Sequence, residues 1–269
     1  MSKLHNNDSS PKLKNVYWLA LIFALSLLAI YYFQNNYSHF MTLFANTFPV
    51  FIAGAAIVTS GFALRIYWEN LESKLSRIWL GFTCGMIFWF LSDVIWAFYT
   101  VIFNVEIPYP SAGDLYRLVG YGFFFFAVLT YITVFRPAIS KKVVATASVL
   151  ILPTSIGIIP PLLLLINAKV TEPNPTTLLI DFAYPLLDLL LLAQAMLGLL
   201  VFTTTKLKGK MGSVWLLINA GIAMNVFGDM LFSYTNLQNI YYSGHPLELF
   251  FHIGYLFFIL SFYTHIRKL

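Results

Sequence analysis

Cysteine, charge and the familiar catalytic motifs are all scarce in this chain. Its single cysteine, Cys84, lies inside an apolar run, which excludes an intramolecular disulfide and leaves the redox compartment open. Only 10% of the 269 residues are charged, too few to cover the surface of a soluble domain of that length. The sequence has no G-x-S-x-G, H-E-x-x-H or C-x-x-C motif and no glycine-rich phosphate loop. These absences exclude the corresponding active sites, and nothing in the sequence commits the chain to being an enzyme.

Apolar residues dominate the composition instead. Hydrophobic residues make up 59% and aromatic residues 18% of the chain, and the mean hydropathy is +0.77. The apolar runs reach the roughly 20 residues that a helix needs to cross a bilayer, whereas barrel strands would alternate over about ten. The sequence therefore predicts an all-α polytopic membrane helix bundle, 16–269, preceded by a disordered cytoplasmic tail, 1–15. The eight predicted transmembrane helices are 16–34, 43–67, 77–103, 112–135, 143–166, 177–204, 213–235 and 247–266.

The basic residues predict how these spans are oriented. Nearly all Lys and Arg residues lie in the tail and at alternate ends of the spans. The positive-inside rule then predicts a multi-pass protein of the cell membrane with both termini in the cytoplasm. The net charge of +5 is explained by topology and by contact with anionic headgroups, so no nucleic-acid partner is predicted. The predicted partner is the lipid bilayer, while a separate cytoplasmic signalling protein and a homodimer stay open.

Two stretches of the chain resemble each other. They run from Ser92 to Tyr121 and from Gly228 to Tyr255, and each joins the end of one apolar helix to the start of another through a short turn. The corresponding pairs are Asp93 and Asp229, Trp96 and Phe232, Asp114 and Glu248, Gly120 and Gly254, and Tyr121 and Tyr255. Because both stretches run in the same direction under the predicted topology, they predict a parallel internal repeat of the third and fourth spans in the seventh and eighth.

Ionisable side chains inside these apolar segments mark the candidate site. Such groups are costly in a bilayer and usually face the bundle interior or a water-filled cavity. In the fourth span, helical spacing places Asp114, Arg117 and Tyr121 on one face. In the eighth span it likewise places three residues on one face, namely Glu248, His252 and Tyr255. An outward-facing acidic pocket is predicted, with ligand-binding residues Asp93, Trp96, Asp114, Arg117, Tyr121, Asp181, Asp188, Asp229, Glu248, His252 and Tyr255. The spacing gives no specific support for a metal, so neither a metal nor a cofactor is predicted.

Several of these residues also have a purely structural interpretation. Asp114 and Glu248 open their helices, where a carboxylate satisfies free backbone N–H groups and complements the helix dipole. Arg117 would neutralise Asp114 or Asp93 in a structural ion pair. His252 would be a core histidine with its hydrogen bonds satisfied rather than a ligand. Asp93 and Asp229 lie deeper in their spans, which favours a functional role for these two.

The motifs themselves carry a family resemblance. PYPSAGD-L-Y followed by GY, D-x2-YPLLDLLLL, GD-x2-F-x-Y and an acid followed by GY occur in this order between residues 77 and 266. In these motifs the chain resembles the multi-span N-terminal membrane region found ahead of GGDEF and EAL domains, and of some histidine kinases, in prokaryotic signalling proteins. The resemblance implies a sensor whose motif positions are Asp93, Pro110, Ser111, Asp114, Tyr121, Asp181, Asp188, Asp229, Glu248 and Tyr255. We expect this sensor region to stand alone here and a separate protein to supply the output.

A second resemblance is to the eight-span lysoplasmalogenase-like family, which places a GD or SD pair in the third and seventh spans. That resemblance implies an intramembrane lipid hydrolase in which Asp93 and Asp229 act as acid and base and activate water against a vinyl ether bond. A proton-coupled transporter is a third hypothesis, because buried carboxylates relay protons. The almost wholly apolar inner halves of the spans disfavour it. The sequence thus favours a sensory or ligand-binding module over a hydrolase and a transporter.

Overall fold

Helices make up the regular structure of the computed structural model, which describes residues 11–105, 107–135, 145, 175–204 and 212–268. No β-strand occurs in these ranges. The seven long helices are α1 (Pro11–Tyr32), α2 (Ser38–Arg65), α3 (Lys74–Ala97), α4 (Ala112–Phe135), α5 (Pro175–Thr204), α6 (Gly212–Leu237) and α7 (Glu248–Lys268). A π-helical segment, Phe98–Ile102, continues α3.

All seven helices are long and apolar enough to cross a membrane. The described part of the chain is therefore a multi-pass helical bundle, as the composition predicts. The predicted fifth span, 143–166, lies outside the described residues apart from residue 145. Helix α1 begins at Pro11, so residues 11–15 are helical rather than part of a disordered tail. Proline is well tolerated in the first helical turn, because the N–H that it lacks would have no intrahelical partner there.

Six of the helices form a closed ring. Helices α2 to α7 each pack against the next along the chain, and α7 packs back against α2. Helix α1 lies outside the ring on α7, and most of its large apolar side chains remain exposed, as a lipid-facing helix requires. The interior of the ring is aromatic, with the fully buried rings of Trp79, Phe82, Phe124, Trp215 and Phe258 at its centre.

Glycines bring the paired helices close together in both hairpins, α3–α4 and α6–α7. A Cβ atom at Gly120 would lie 2.4 Å from the indole of Trp89, and one at Gly254 would lie 2.3 Å from the amide nitrogen of Asn225. A larger residue at Gly120 would clash with a buried indole ring, and one at Gly254 would displace the Asn225 side chain, so both glycines fit a close helix contact. This close approach sets the facing side chains of each hairpin within contact of one another.

Candidate functional site

Polar side chains gather at one end of the bundle, which we call the motif end. It is the end where residues 98–111 join α3 to α4 and residues 238–247 join α6 to α7. The central group there, the Arg117 cluster, consists of Trp89, Asp93, Arg117, Tyr121, Asp188, Asp229 and Tyr255. Helices α3, α4, α5, α6 and α7 all contribute to it, so the cluster links residues that are far apart in sequence.

Arg117 lies between two aspartates from different hairpins. Its Nη1 atom is 3.4 Å from Asp93 Oδ1, and its Nη2 atom is 3.9 Å from Asp229 Oδ1. The guanidinium also covers the ring of Trp89, with Cζ 4.6 Å from the ring centroid. The predicted pairing of Arg117 with Asp93 is confirmed, whereas Asp114, the other predicted partner, forms no ion pair with it.

Two tyrosines complete the cluster by bonding across the hairpins. Tyr255 of α7 donates to Asp93 Oδ2 of α3 at 2.7 Å. The hydroxyl of Tyr121 of α4 hydrogen-bonds to Asp188 Oδ1 and lies 3.2 Å from Asp229 Oδ2 of α6. Each tyrosine of a Gly-Tyr step therefore contacts an aspartate of the opposite hairpin, which holds the two hairpins together.

The charges of this cluster do not balance. Three carboxyl groups, from Asp93, Asp188 and Asp229, surround a single guanidinium. The Asp188 side chain is buried, and those of Asp93 and Asp229 are only 13% and 16% exposed. Because uncompensated charge is costly in such surroundings, a proton or a bound cationic group must offset the excess negative charge. Chemically, the cluster can bind charged or hydrogen-bonding groups and can hold or exchange protons.

Asp114 and Asp181 lie around this cluster rather than in it. Asp114 Oδ2 accepts hydrogen bonds from the Ser111 backbone N–H at 2.8 Å and from its hydroxyl at 3.0 Å, as a residue in the first turn of α4 can do. Its other oxygen accepts a bond from Tyr184 of α5 at 2.9 Å. Asp181 accepts a bond from Tyr109, whose pKa is raised by burial and by the neighbouring carboxylate. Both acids therefore anchor residues 98–111 to the helices.

Glu248 and His252 form a separate group with Tyr31, which we call the Tyr31 triad. Tyr31 of α1 lies 2.8 Å from both Glu248 Oε2 and His252 Nε2. Glu248 Oε1 accepts bonds from the Gly244 backbone N–H at 2.8 Å and from the Tyr241 hydroxyl at 3.0 Å. Burial and the Glu248 charge raise the pKa of Tyr241. No hydrogen bond joins the triad to the Arg117 cluster in the described part of the chain.

Trp96 lies beside the cluster without entering it. Its indole N–H donates to Asn46 Oδ1 of α2 at 3.1 Å. Its ring packs edge to face with the ring of Phe232, and the two ring centroids are 6.3 Å apart. Sequence reasoning missed two residues that the structure brings to these groups. Trp89 lies one helical turn before Asp93, so helical spacing was a usable signal for it. Tyr31 had no such signal, since it lies on the first span and its contact with α7 depends on the helix arrangement.

In the described residues, no group of three or more His, Cys, Asp or Glu side chains is arranged to hold a metal ion. Comparison of the chain with protein-family models, with curated proteins and with solved structures finds no match. The two family resemblances therefore stay predictions, and the function must be inferred from the site itself.

Proposed function

We propose that this protein is a membrane sensory or ligand-binding module whose binding site is the Arg117 cluster. The observation that carries the proposal is the pair of long contacts, 3.4 and 3.9 Å, by which Arg117 is shared between Asp93 and Asp229. All three side chains keep 13–16% of their surface exposed. Optimised ion pairs are shorter than this, so a charged ligand can compete for these groups without first breaking ideal geometry. Intramembrane ionisable groups of this kind mark binding or transport sites more often than structural ones.

The position of Arg117 also supports a sensory role. A ligand that binds the guanidinium or either aspartate changes the attraction between the α3–α4 and α6–α7 hairpins. A ligand shifts a conformational equilibrium only by its differential affinity for the two states. Arg117 contacts both hairpins. A ligand at this residue can therefore bind more tightly at one separation of the hairpins than at another, and so shift the equilibrium between the two. A cytoplasmic kinase or cyclase that co-purifies with the protein would supply the output.

We also infer that the two hairpins form an internal repeat. Residues at corresponding positions meet each other: Trp96 contacts Phe232, and Phe124 stacks on Phe258 with ring centroids 6.1 Å apart. The Tyr255 bond to Asp93 has its counterpart in the approach of Tyr121 to Asp229. Contacts of this reciprocal kind are expected around a pseudo-two-fold axis, so they favour the repeat that the sequence predicts.

Ligand-dependent stabilisation tests the proposed binding site. Purified protein in lipid nanodiscs would be heated with a panel of organic cations, carboxylates and sugars. A ligand at 100 times its Kd stabilises the folded state by about 2.7 kcal/mol, which raises the Tm measurably. We expect at least one compound to raise the Tm of the wild type and of Asp181→Asn, which keeps the Arg117 cluster, but not that of Asp93→Asn. Equal shifts in all three proteins would place the binding elsewhere.

A second candidate function is lipid hydrolysis. The observation that favours it is that Asp93 and Asp229, which would act as acid and base, both contact one guanidinium. The test is turnover of a vinyl ether lysolipid by the purified protein. Turnover that disappears in Asp93→Asn would support the hydrolase, whereas binding without turnover would support the receptor.

A further inference from the structure

The Tyr31 triad is a second buried group of titratable side chains, and the proposed function does not use it. The exposed fractions are 2% for Tyr31, 7% for Glu248 and 1% for His252. The remaining ring nitrogen of His252, Nδ1, is buried and has no hydrogen-bond partner. Buried polar atoms are nearly always paired, so an unpaired nitrogen at this position can bind an added proton.

The hydrogens of the triad can be arranged in two ways. The Tyr31 hydroxyl has one hydrogen, yet it lies 2.8 Å from an oxygen of Glu248 and 2.8 Å from a nitrogen of His252. If Tyr31 donates to Glu248, then His252 Nε2 must carry the hydrogen that it donates to Tyr31. If Tyr31 donates to Nε2 instead, Glu248 must carry a proton of its own, and the histidine hydrogen is on Nδ1. The second arrangement holds one proton more than the first, and the same heavy-atom geometry fits both.

We propose that the Tyr31 triad is a proton-binding site, separate from the Arg117 cluster. The added proton binds the lone pair of His252 Nδ1 or an oxygen of Glu248, and these are two forms of one state. They interconvert when Nε2 passes its hydrogen to the Tyr31 oxygen while Tyr31 passes its own to Glu248, with no net gain or loss of protons. In this site, burial favours the net-neutral, proton-bound state, whereas the Gly244 N–H and the Tyr241 hydroxyl favour the Glu248 carboxylate.

The surroundings of the site connect the proton to α1 and to the loop of residues 238–247, because both bond to the triad. Tyr31 presents its hydroxyl from α1, and α2 presents the ring of Phe48, 4.9 Å from the His252 ring. The titratable groups of the loop are Tyr241, Tyr242 and His245, and of these Tyr241 donates directly to Glu248. Proton uptake lowers the negative charge on Glu248. Charge-assisted hydrogen bonds are stronger than neutral ones, so the bonds from Gly244 and Tyr241 weaken and the loop loosens as pH falls.

A second histidine of α7, paired with a tyrosine that follows α2, offers a matched control. His265 is fully buried, its Nε2 lies 3.0 Å from the Tyr67 hydroxyl, and its Nδ1 also has no partner. No carboxylate hydrogen-bonds to this pair in the described residues. The His265–Tyr67 pair therefore lacks the carboxylate that takes up a proton in the triad. We expect His265→Gln to leave the pH dependence of exchange in residues 238–247 unchanged.

Hydrogen–deuterium exchange of the full chain in lipid nanodiscs tests this proposal across a range of pH. After correction for the intrinsic pH dependence, we expect exchange in residues 238–247 to rise about tenfold at low pH, as loss of a hydrogen bond to a charged group predicts. The rise should persist in His265→Gln and in His245→Gln. It should disappear in Glu248→Gln, where exchange is high at every pH, and should move to a different pH in His252→Gln.

Two results would overturn the proposal: corrected exchange that is independent of pH in the wild type, or an unchanged pH profile in both Glu248→Gln and His252→Gln. A variant is folded if its exchange rates in α3 and α4 equal those of the wild type. If either variant fails to fold, Tyr31→Phe keeps the ring and removes only the hydroxyl. An unchanged pH profile in that variant would also contradict the proposal.

Discussion

The α3–α4 and α6–α7 hairpins use the same devices but differ at one charged position. Each has an acid in the first turn of its second helix and a tyrosine that reaches an aspartate of the other hairpin. Three residues after these acids, α4 carries Arg117 whereas α7 carries Phe251. The two side chains meet, with the guanidinium carbon 5.6 Å from the Phe251 ring centroid. The Arg117 guanidinium thus contacts aspartates of both hairpins, and the corresponding position of α7 holds an apolar ring.

The hairpins also differ in what their first-turn acids hold. Asp114 receives the Tyr184 hydroxyl from α5, which belongs to the helix ring. Glu248 receives the Tyr31 hydroxyl from α1, which lies outside the ring. The same capping position therefore fastens an internal helix in one hairpin and a peripheral helix in the other. An acid in the first turn of a helix can therefore support two different long-range contacts.

Removing the cation should separate the hairpins most strongly. Arg117→Gln leaves buried carboxylates without their partner, and breaking a buried pair in this way costs about 3–5 kcal/mol. Phe251→Leu, at the facing position, should cost less than about 1.5 kcal/mol because it exchanges one apolar side chain for another. The free energy of unfolding in mixed micelles measures both. Similar losses in the two variants would show that Arg117 acts only through its bulk.

Moving the cation to the other hairpin sharpens the comparison. The double variant Arg117→Phe with Phe251→Arg should regain about 2 kcal/mol of the stability lost in Arg117→Phe alone, within the range of coupling seen between contacting residues. The reason is that a guanidinium entering from α7 can still contact Asp93 and Asp229. Unfolding of the single and double variants in the same micelles is the measurement. A double variant no more stable than Arg117→Phe would show that positions 117 and 251 are not equivalent sites for the guanidinium.

The cross-hairpin tyrosines should have the next largest effect. Tyr255→Phe removes the donor to Asp93, and Tyr121→Phe removes the donor shared by Asp188 and Asp229. Leaving a buried acceptor unsatisfied costs about 1–3 kcal/mol. Tyr116→Phe, whose ring stacks on Phe88 without a hydrogen bond in the described structure, should change stability by less than about 0.5 kcal/mol. Thermal unfolding in nanodiscs compares the three, and a Tyr116→Phe loss as large as the others would contradict the account.

The caps should have the smallest effect. Asp114→Ala removes an acceptor for the Ser111 N–H and should cost about 1 kcal/mol. Glu248→Ala should cost more, because Glu248 is buried whereas Asp114 is only partly buried, so the donors that it leaves unpaired are farther from water. Exposed Glu72→Ala is the control and should be neutral. Measured unfolding free energies decide, and a larger loss in Asp114→Ala than in Glu248→Ala would reverse the comparison drawn above.

Much of the bundle was predictable because bilayer thickness and the apolar pattern together determine helix length. The α4 bounds, 112 and 135, agree with the predicted span. Arg117 could be paired with Asp93 from the need to neutralise a buried charge. Its second partner, Asp229, could not be assigned, because no local spacing reports which helices become neighbours. The same reason explains why Tyr31 was missed and why the separation of Glu248 and His252 from the Arg117 cluster could not be predicted.

Double-mutant cycles between Arg117 and each aspartate measure whether one guanidinium couples the two hairpins. The Arg117→Gln, Asp93→Asn and Asp229→Asn variants, singly and in pairs, would be unfolded in mixed micelles and their interaction energies compared. We expect coupling of about 0.5–3 kcal/mol in both cycles, larger with Asp93 than with the more distant Asp229. Coupling to Asp93 together with none to Asp229 would show that Arg117 belongs to one hairpin alone and does not join the two.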